Sequence, residues 1–441
     1  MRAHAVIAGF IAIAASMAPI TCVAAGADSG NAPAIVMGVR IDALLAEMGT
    51  DAGQRMRTGL AALRRNDLAA AEREFRAAAQ SAPDSAAPLL ALADIAVRRG
   101  DHGEALLRIQ QAVKLAPRAS TVYAAEARLR TSKKDYLGAI ESLDKALALE
   151  PGSAKLHVDK GEIYAMGLRD SAAAQAEYRA ALAVDPGSAP AHFALGVSLE
   201  QEKRYAEAQA ELARATELAP DDTAAWVALG AARAGAGDRA NALAAYDTAL
   251  KLAPTLWTAH AGRADVLDGE GRIDDAIASY EQALKTTPQK ARVLTQIGSL
   301  QQRAQRSADA ERSYRAALAI EPRNVIAANN LAFLLADARR DLDEALRLAN
   351  VVIQGVPPSA DYAWDTLAWV QRARGQLAEA ARILEPIAAR TRSPAHIYHL
   401  GVVYADMGRK QDALAMFDKA LRIDPGYAPA ADARRKLAPA S

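Results

Sequence analysis

Residues 178–196 read YRAALAVDPGSAPAHFALG, a helical pattern on both sides of Pro186. A proline lacks the backbone donor and disfavours helical geometry in the residue before it, so one helix cannot run through this stretch. Residues 314–332, YRAALAIEPRNVIAANNLA, repeat the opening, with Pro322 in the place of Pro186. Tyr178 and Tyr314 are 136 residues apart, four times 34. Aligned on the proline, the series is Pro83, Pro117, Pro151, Pro186, Pro220, Pro254, Pro288, Pro322, Pro357 and Pro425, with steps of 34 or 35 and a final step of 68 whose middle slot, near Thr391, lacks proline. Eleven repeats fill residues 52–427. Pro186 and Pro254 therefore punctuate, each ending one repeat and starting the turn into the next. Short polar residues at Gly187-Ser188 and Asp221-Asp222-Thr223 suit caps for the following helix, and Gly100-Asp101, Gly237-Asp238 and Gly271-Arg272 mark turns inside repeats.

Two small-residue slots recur with the same period. One holds Ala71, Ala105, Ala139, Ala174, Ala208, Ala242, Ala276, Ala310, Ala345, Ala380 and Ala413 without exception. The other holds Gly59, Ala93, Ala127, Gly161, Gly196, Gly230, Ala264, Gly298, Ala332, Ala368 and Gly401. Small residues at such positions let two helices cross closely. Four residues after each invariant alanine stands a bulky residue, except at Ala349, which marks the ninth repeat as looser or differently packed.

This pattern resembles the tetratricopeptide repeat, and Trp226, Leu229, Gly230, Ala242, Tyr246 and Pro254 match its signature best, with Arg233 departing from it. The resemblance implies an all-α, right-handed superhelical solenoid of about eleven helix-turn-helix repeats. A helix pair of this size cannot bury its apolar side alone and must stack on its neighbours. Residues 428–441, with Asp432, Arg434, Arg435 and Lys436, read as a closing helix and tail, and residues 26–51 as a lead-in.

Residues 1–25 read as an export signal, with Arg2, an apolar run from Val6 to Ala18 and a small-residue site at Val23-Ala24-Ala25. The run is too short to span a membrane, and no later segment could. Cys22, the only cysteine, lies in this leader. Acylation at Cys22 is the weaker reading, because Pro19, Ile20 and Thr21 match a bacterial lipobox poorly. Without the leader the chain carries 52 basic and 52 acidic residues, with no basic run of the kind nucleic acid attracts.

The repeats leave no room for a catalytic domain, and the chain shows no phosphate-binding loop, nucleophile elbow or metal-ligand spacing. The expectation is a non-enzyme without metal or cofactor. His396 and His399 share a helical face but lack a third ligand, and His157, His192 and His260 fall in the packing slot of Trp226.

Members of this family grip protein or peptide segments on the concave face lined by the first helices. Carrying the register along the chain gives a candidate column of Phe193, Val197, Asp265, Thr295, Ser299, Asn329, Phe333, Asp365, Trp369 and Tyr398. Trp364 occupies the packing slot of Trp226 and reads as core, whereas Trp369 with Phe333 reads as a peptide pocket. The column lacks the lysine, arginine and asparagine set of a chaperone-tail clamp. NNLAFLLA (329–336) and WDTLAWV (364–370) resemble the closing repeats of bacterial envelope tetratricopeptide proteins, including those of exopolysaccharide and exosortase-linked systems. The expected role is a periplasmic or envelope scaffold that binds partner segments in its groove. The alternative is a structural subunit or lipoprotein of an envelope assembly machine, for exopolysaccharide export, exosortase-linked or pilus assembly.

Overall fold

The computed structural model describes residues 35–437. The export signal and Cys22 fall outside them. The described chain divides into two compact units between Asp238 and Arg239.

The first unit opens with a hairpin, β1 (Ile35–Val36) and β2 (Val39–Arg40), and a short helix, Asp42–Ala46. Five helix pairs follow: Thr50–Arg64 with Leu68–Ser81, Ala87–Arg98 with His102–Leu115, Ser120–Ser132 with Tyr136–Leu149, Ala154–Leu168 with Ser171–Val184, and Ala189–Gln201 with Tyr205–Leu218. The first helix of repeat 6, Thr223–Gly235, ends this unit. The second unit runs from Arg239–Leu252 through five pairs: Trp257–Gly269 with Ile273–Thr286, Lys290–Arg303 with Ser307–Ile320, Val325–Asp337 with Leu342–Gln354, Asp361–Ala373 with Leu377–Arg390, and Pro394–Asp406 with Lys410–Ile423. It closes with Ala428–Leu437. Each unit is an all-α stack of repeats apart from the lead-in hairpin. No helix among the described residues is long and apolar enough to cross a membrane.

The small-residue slots are the places where helices meet. All eleven invariant alanines are 0% exposed. In the second slot, a Cβ added to Gly59 would lie 2.4 Å from the Phe75 ring, one on Gly161 2.4 Å from Tyr178, one on Gly298 2.7 Å from Tyr314, and one on Gly401 2.6 Å from Phe417. Glycine thus stands against the aromatic of its own repeat. Opposite Ile109, Leu143 and Leu384 the small slot carries alanine, while repeat 5 sets Gly196 against Leu212 and repeat 7 pairs Ala264 with Tyr280.

The turn inside each repeat is a Schellman motif. One residue per repeat takes the left-handed conformation: Asn66, Gly100, Lys134, Arg169, Lys203, Gly237, Gly271, Gln305, Arg339, Gly375 and Gly408. The next backbone N–H reaches back to a carbonyl five residues earlier, as in Asp101 to Ala96 at 2.9 Å and Arg272 to Leu267 at 2.9 Å. That same residue then caps the second helix. Asp67, Asp101, Asp135 and Asp170 accept a hydrogen bond from the backbone three residues on. From repeat 5 the slot often holds arginine, which pairs with an acid in the first turn instead, as Arg204 does with Glu207 and Arg272 with Asp275.

Departures from the 34-residue step have local causes. The 35-residue step to Pro186 is absorbed by a π-helical turn at Ile163–Leu168, so the Asp170 N–H reaches Tyr164, six residues back. The step to Pro357 places Asp341 as a second left-handed residue beside Arg339. Repeat 10 lacks a proline at its end, and its Pro386 sits inside the second helix, on an exposed face. In repeat 9, Ala349 is fully buried, and the first helices of repeats 9 and 10 pack more closely than other successive first helices within either unit.

Candidate functional site

The slot shared by Trp226 and Trp364 works through hydrogen bonding. Trp226 Nε1 donates to the Pro220 carbonyl at 2.9 Å and Trp364 Nε1 to that of Pro358 at 3.1 Å. His192 Nε2 lies 3.1 Å from the Pro186 carbonyl, His260 Nε2 2.9 Å from that of Pro254, and Tyr123 donates to Pro117 at 3.1 Å. Each ring spans six residues and ties the first helix to the turn before it. A flat side chain with a polar far end is what this latch needs.

In the second unit the first helices of repeats 9 to 11 bring four rings together, and Tyr427, just before the closing helix, adds a fifth. Phe333 stacks on Trp369 with centroids 5.8 Å apart and an interplanar angle of 8°. The Trp369 centroid is 4.3 Å from that of His399, and Tyr398 continues the row to Tyr427, 5.8 Å away. His399 Nδ1 faces both oxygens of Asp365 at 2.9 and 2.8 Å, and both side chains are buried. The Arg372 guanidinium lies 4.4 Å from the Trp369 ring centroid while its Nε donates to Asp406 at 2.6 Å.

This geometry corrects part of the column. Trp369 is 5% exposed, as are Asp365 and Thr295, so none of these three offers an open face. Thr295 Oγ1 donates to the Ala291 carbonyl at 2.8 Å. Trp369 is closed because the first helices of repeats 9 and 10 draw together while His399 and Arg372 cover the ring. Trp364, read as core, is only half-buried and packs against the clusters of repeats 9 and 11. The residues left partly open are Ser299, Asn329, Phe333 and Tyr398. Asn329 Oδ1 is buried with no hydrogen-bond partner, and neighbouring Asn330 reaches the Tyr314 hydroxyl at 3.3 Å.

Asp265 stands exposed in repeat 7, yet surrounding protein pushes its carboxyl up to about 6, against the opposing effects of the Tyr280 hydroxyl that donates to it and of Arg292; Asp268 adds to the rise. Glu162 in repeat 4 behaves alike, raised by desolvation and then by Asp159. Phe193 and Val197 are half-buried on the first helix of repeat 5.

In the first unit the same register falls on Met56 and Leu60, Leu90 and Asp94, and Ala124 and Arg128. All of these except Arg128 are buried. The lead-in covers them: β1 packs on the first helix of repeat 2 and β2 on that of repeat 3. Val36, Val39 and Ile41, at 0%, 4% and 0% exposure, join the core cluster of Met56, Leu60 and Leu90. Gly38, with φ +69°, presses against the Arg128 guanidinium, where an added Cβ would lie 1.9 Å from Nη1. Among the described residues no cluster of three or more His, Cys, Asp or Glu is placed to hold a metal ion.

These repeats are tetratricopeptide repeats by direct comparison. Three family models, each described as tetratricopeptide repeat, match residues 90–154, 227–291 and 295–360, residues 165–232, and residues 397–427. The chain belongs to the tetratricopeptide repeat family, whose fold serves as a protein-interaction scaffold. No curated protein matches it. Similar solved structures include a tetratricopeptide repeat protein from Parabacteroides merdae, 20% identical over 56% of this chain and 98% of that one, with a TM-score of 0.45. Another is the Cut9–Hcn1 hetero-tetramer of APC/C, 14% identical over 88% and 96%, at 0.44. A third is PilF of Pseudomonas aeruginosa, 24% identical over 46% and 92%, at 0.41.

Proposed function

We propose that this protein is an exported scaffold, without catalytic activity of its own, that holds a partner's segment along the first helices of repeats 8 to 11. The observation that carries this reading is the half-open edge of the ring row. Phe333 and Tyr398 flank the buried Trp369–His399 pair, and the inward-facing Asn329 acceptor lies one helical turn from Phe333. Rigid aromatic side chains with adjacent polar groups are the usual anchors of protein interfaces. Placement in the periplasm or envelope rests on the leader pattern of residues 1–25.

Photocrosslinking in source cells tests both parts. Probes replace Ser299, Phe333 and Tyr398, with a control at Arg382, which is exposed on the second helix of repeat 10. A discrete partner captured from the first three sites only, in the envelope fraction, is the expected result. Equal capture from Arg382 or none from the three sites refutes the groove reading, and recovery from the cytoplasm refutes export.

A further inference from the structure

The lead-in hairpin fills the register positions at which the second unit offers a partner surface. We propose that the first-helix face of repeats 1 to 3 is a binding surface for an extended aliphatic segment, and that residues 35–41 occupy it in cis until a partner's segment displaces them. This deepens the scaffold reading and rests on it, but concerns different repeats.

The occupant shows what the surface accepts. Val36, Val39 and Ile41 supply β-branched side chains to the apolar cluster, while Arg40 stays in solvent. The fit is nevertheless costly at two places. The two-residue turn places Met37 at φ +50°, a conformation an L-residue with a side chain adopts only under strain. Gly38 lies so close to the Arg128 guanidinium that no larger residue fits there, and the buried Nε of Arg128 has no acceptor although its Nη2 reaches Asp159 at 3.3 Å. Strands of two residues add little ladder bonding of their own. A partner strand running straight across repeats 2 and 3 needs no left-handed Met and can turn a carbonyl toward Arg128. The hairpin is thus held chiefly by the apolar burial of Val36, Val39 and Ile41, which an aliphatic competitor can match.

The test uses the full chain and the labelled peptide IVMGVRIDAL, residues 35–44. The peptide should bind a Val36→Asp/Val39→Asp chain at least tenfold more tightly than the unsubstituted chain, as read by fluorescence polarisation. A peptide carrying the same two aspartates should not bind. Hydrogen exchange on the unsubstituted chain should show amides 36–44 opening while the first helices of repeats 1 to 3 stay protected. If those amides exchange only together with these helices, or if the double variant loses helix in repeats 1 to 3, the hairpin is a fixed cap and the proposal fails. A dimer that exchanges lead-ins, seen by light scattering, also overturns it. Any of these failures would leave the crosslinks from Ser299, Phe333 and Tyr398 intact, so the two readings fail separately.

Discussion

Gly59→Ala puts a methyl group where the Phe75 ring already lies. The added Cβ would sit 2.4 Å from Cε1, 2.6 Å from Cδ1 and 3.1 Å from Cζ. Carbon atoms prefer about 3.5–4.0 Å, so the ring must retreat by roughly 1 Å inside a fully buried seam. Overpacking of this kind costs about 1–3 kcal/mol, and the better helix propensity of alanine returns about 1 kcal/mol. The net loss should be about 1 kcal/mol. Phe75→Leu alone should cost about 1–2 kcal/mol through the space it leaves. Together they recreate the alanine and leucine that repeats 3 and 10 use at Ala127 with Leu143 and Ala368 with Leu384. The two costs should then fail to add, with a favourable coupling of about 1–2 kcal/mol. Because a repeat array need not unfold as one unit, the measurement is hydrogen exchange of residues 50–81 in the full chain. Additivity of the two changes within about 0.5 kcal/mol would refute the size-matching argument.

Other consequences are as direct. Gln305 holds φ +61° in the turn of repeat 8, so Gln305→Gly should stabilise that repeat by about 0.5–1 kcal/mol in local exchange. Ala276, 0% exposed at a helix crossing, should not accept Leu, and Ala276→Leu should destabilise by about 1–3 kcal/mol in thermal unfolding. Asp365→Ala leaves His399 buried without its partner and should cost repeats 10 and 11 about 2–3 kcal/mol, read by exchange of residues 361–423. Asp265 has its folded pKa raised from 3.8 to about 6, so the folded chain binds this proton more tightly. Its contribution to stability is greatest below about pH 4, declines as pH rises to about 6 and is flat above that. For so exposed a carboxyl, screening limits the change to about 1 kcal/mol, and Asp265→Asn should remove it from the stability–pH curve.

The proline and alanine periods of the sequence are enough to place nearly every helix, because both report local chemistry: a ring that stops a helix, and a site too tight for anything beyond a methyl group. The left-handed turn residues were legible only where they are glycine. At Lys134, Arg169, Lys203, Gln305 and Arg339 the Schellman bonding imposes that conformation on side chains that do not favour it. His399 escaped the column because it stands 34 residues after its partner Asp365 while the flanking small slots, Ala368 and Gly401, are 33 apart. That slip moves His399 beside the position that Tyr398 takes in the repeat register.

Trp369 and the lead-in lie beyond what periodicity can decide. A column position states which way a side chain faces, but its exposure depends on how closely the neighbouring helix approaches and on what lies over it. Ala349 accompanies a closer approach of two first helices, His399 and Arg372 then cover the indole, and a ring that faces the groove becomes core. Similarly, Val36, Val39 and Ile41 carry no repeat signal, and only the folded chain shows them seated on Leu60 and Leu90. The sequence by itself determined the repeats, their boundaries and their close-packed seams, since these follow from interactions within one repeat and with the next. The tertiary structure decided which part of the groove is open, because that depends on contacts between segments with no shared period.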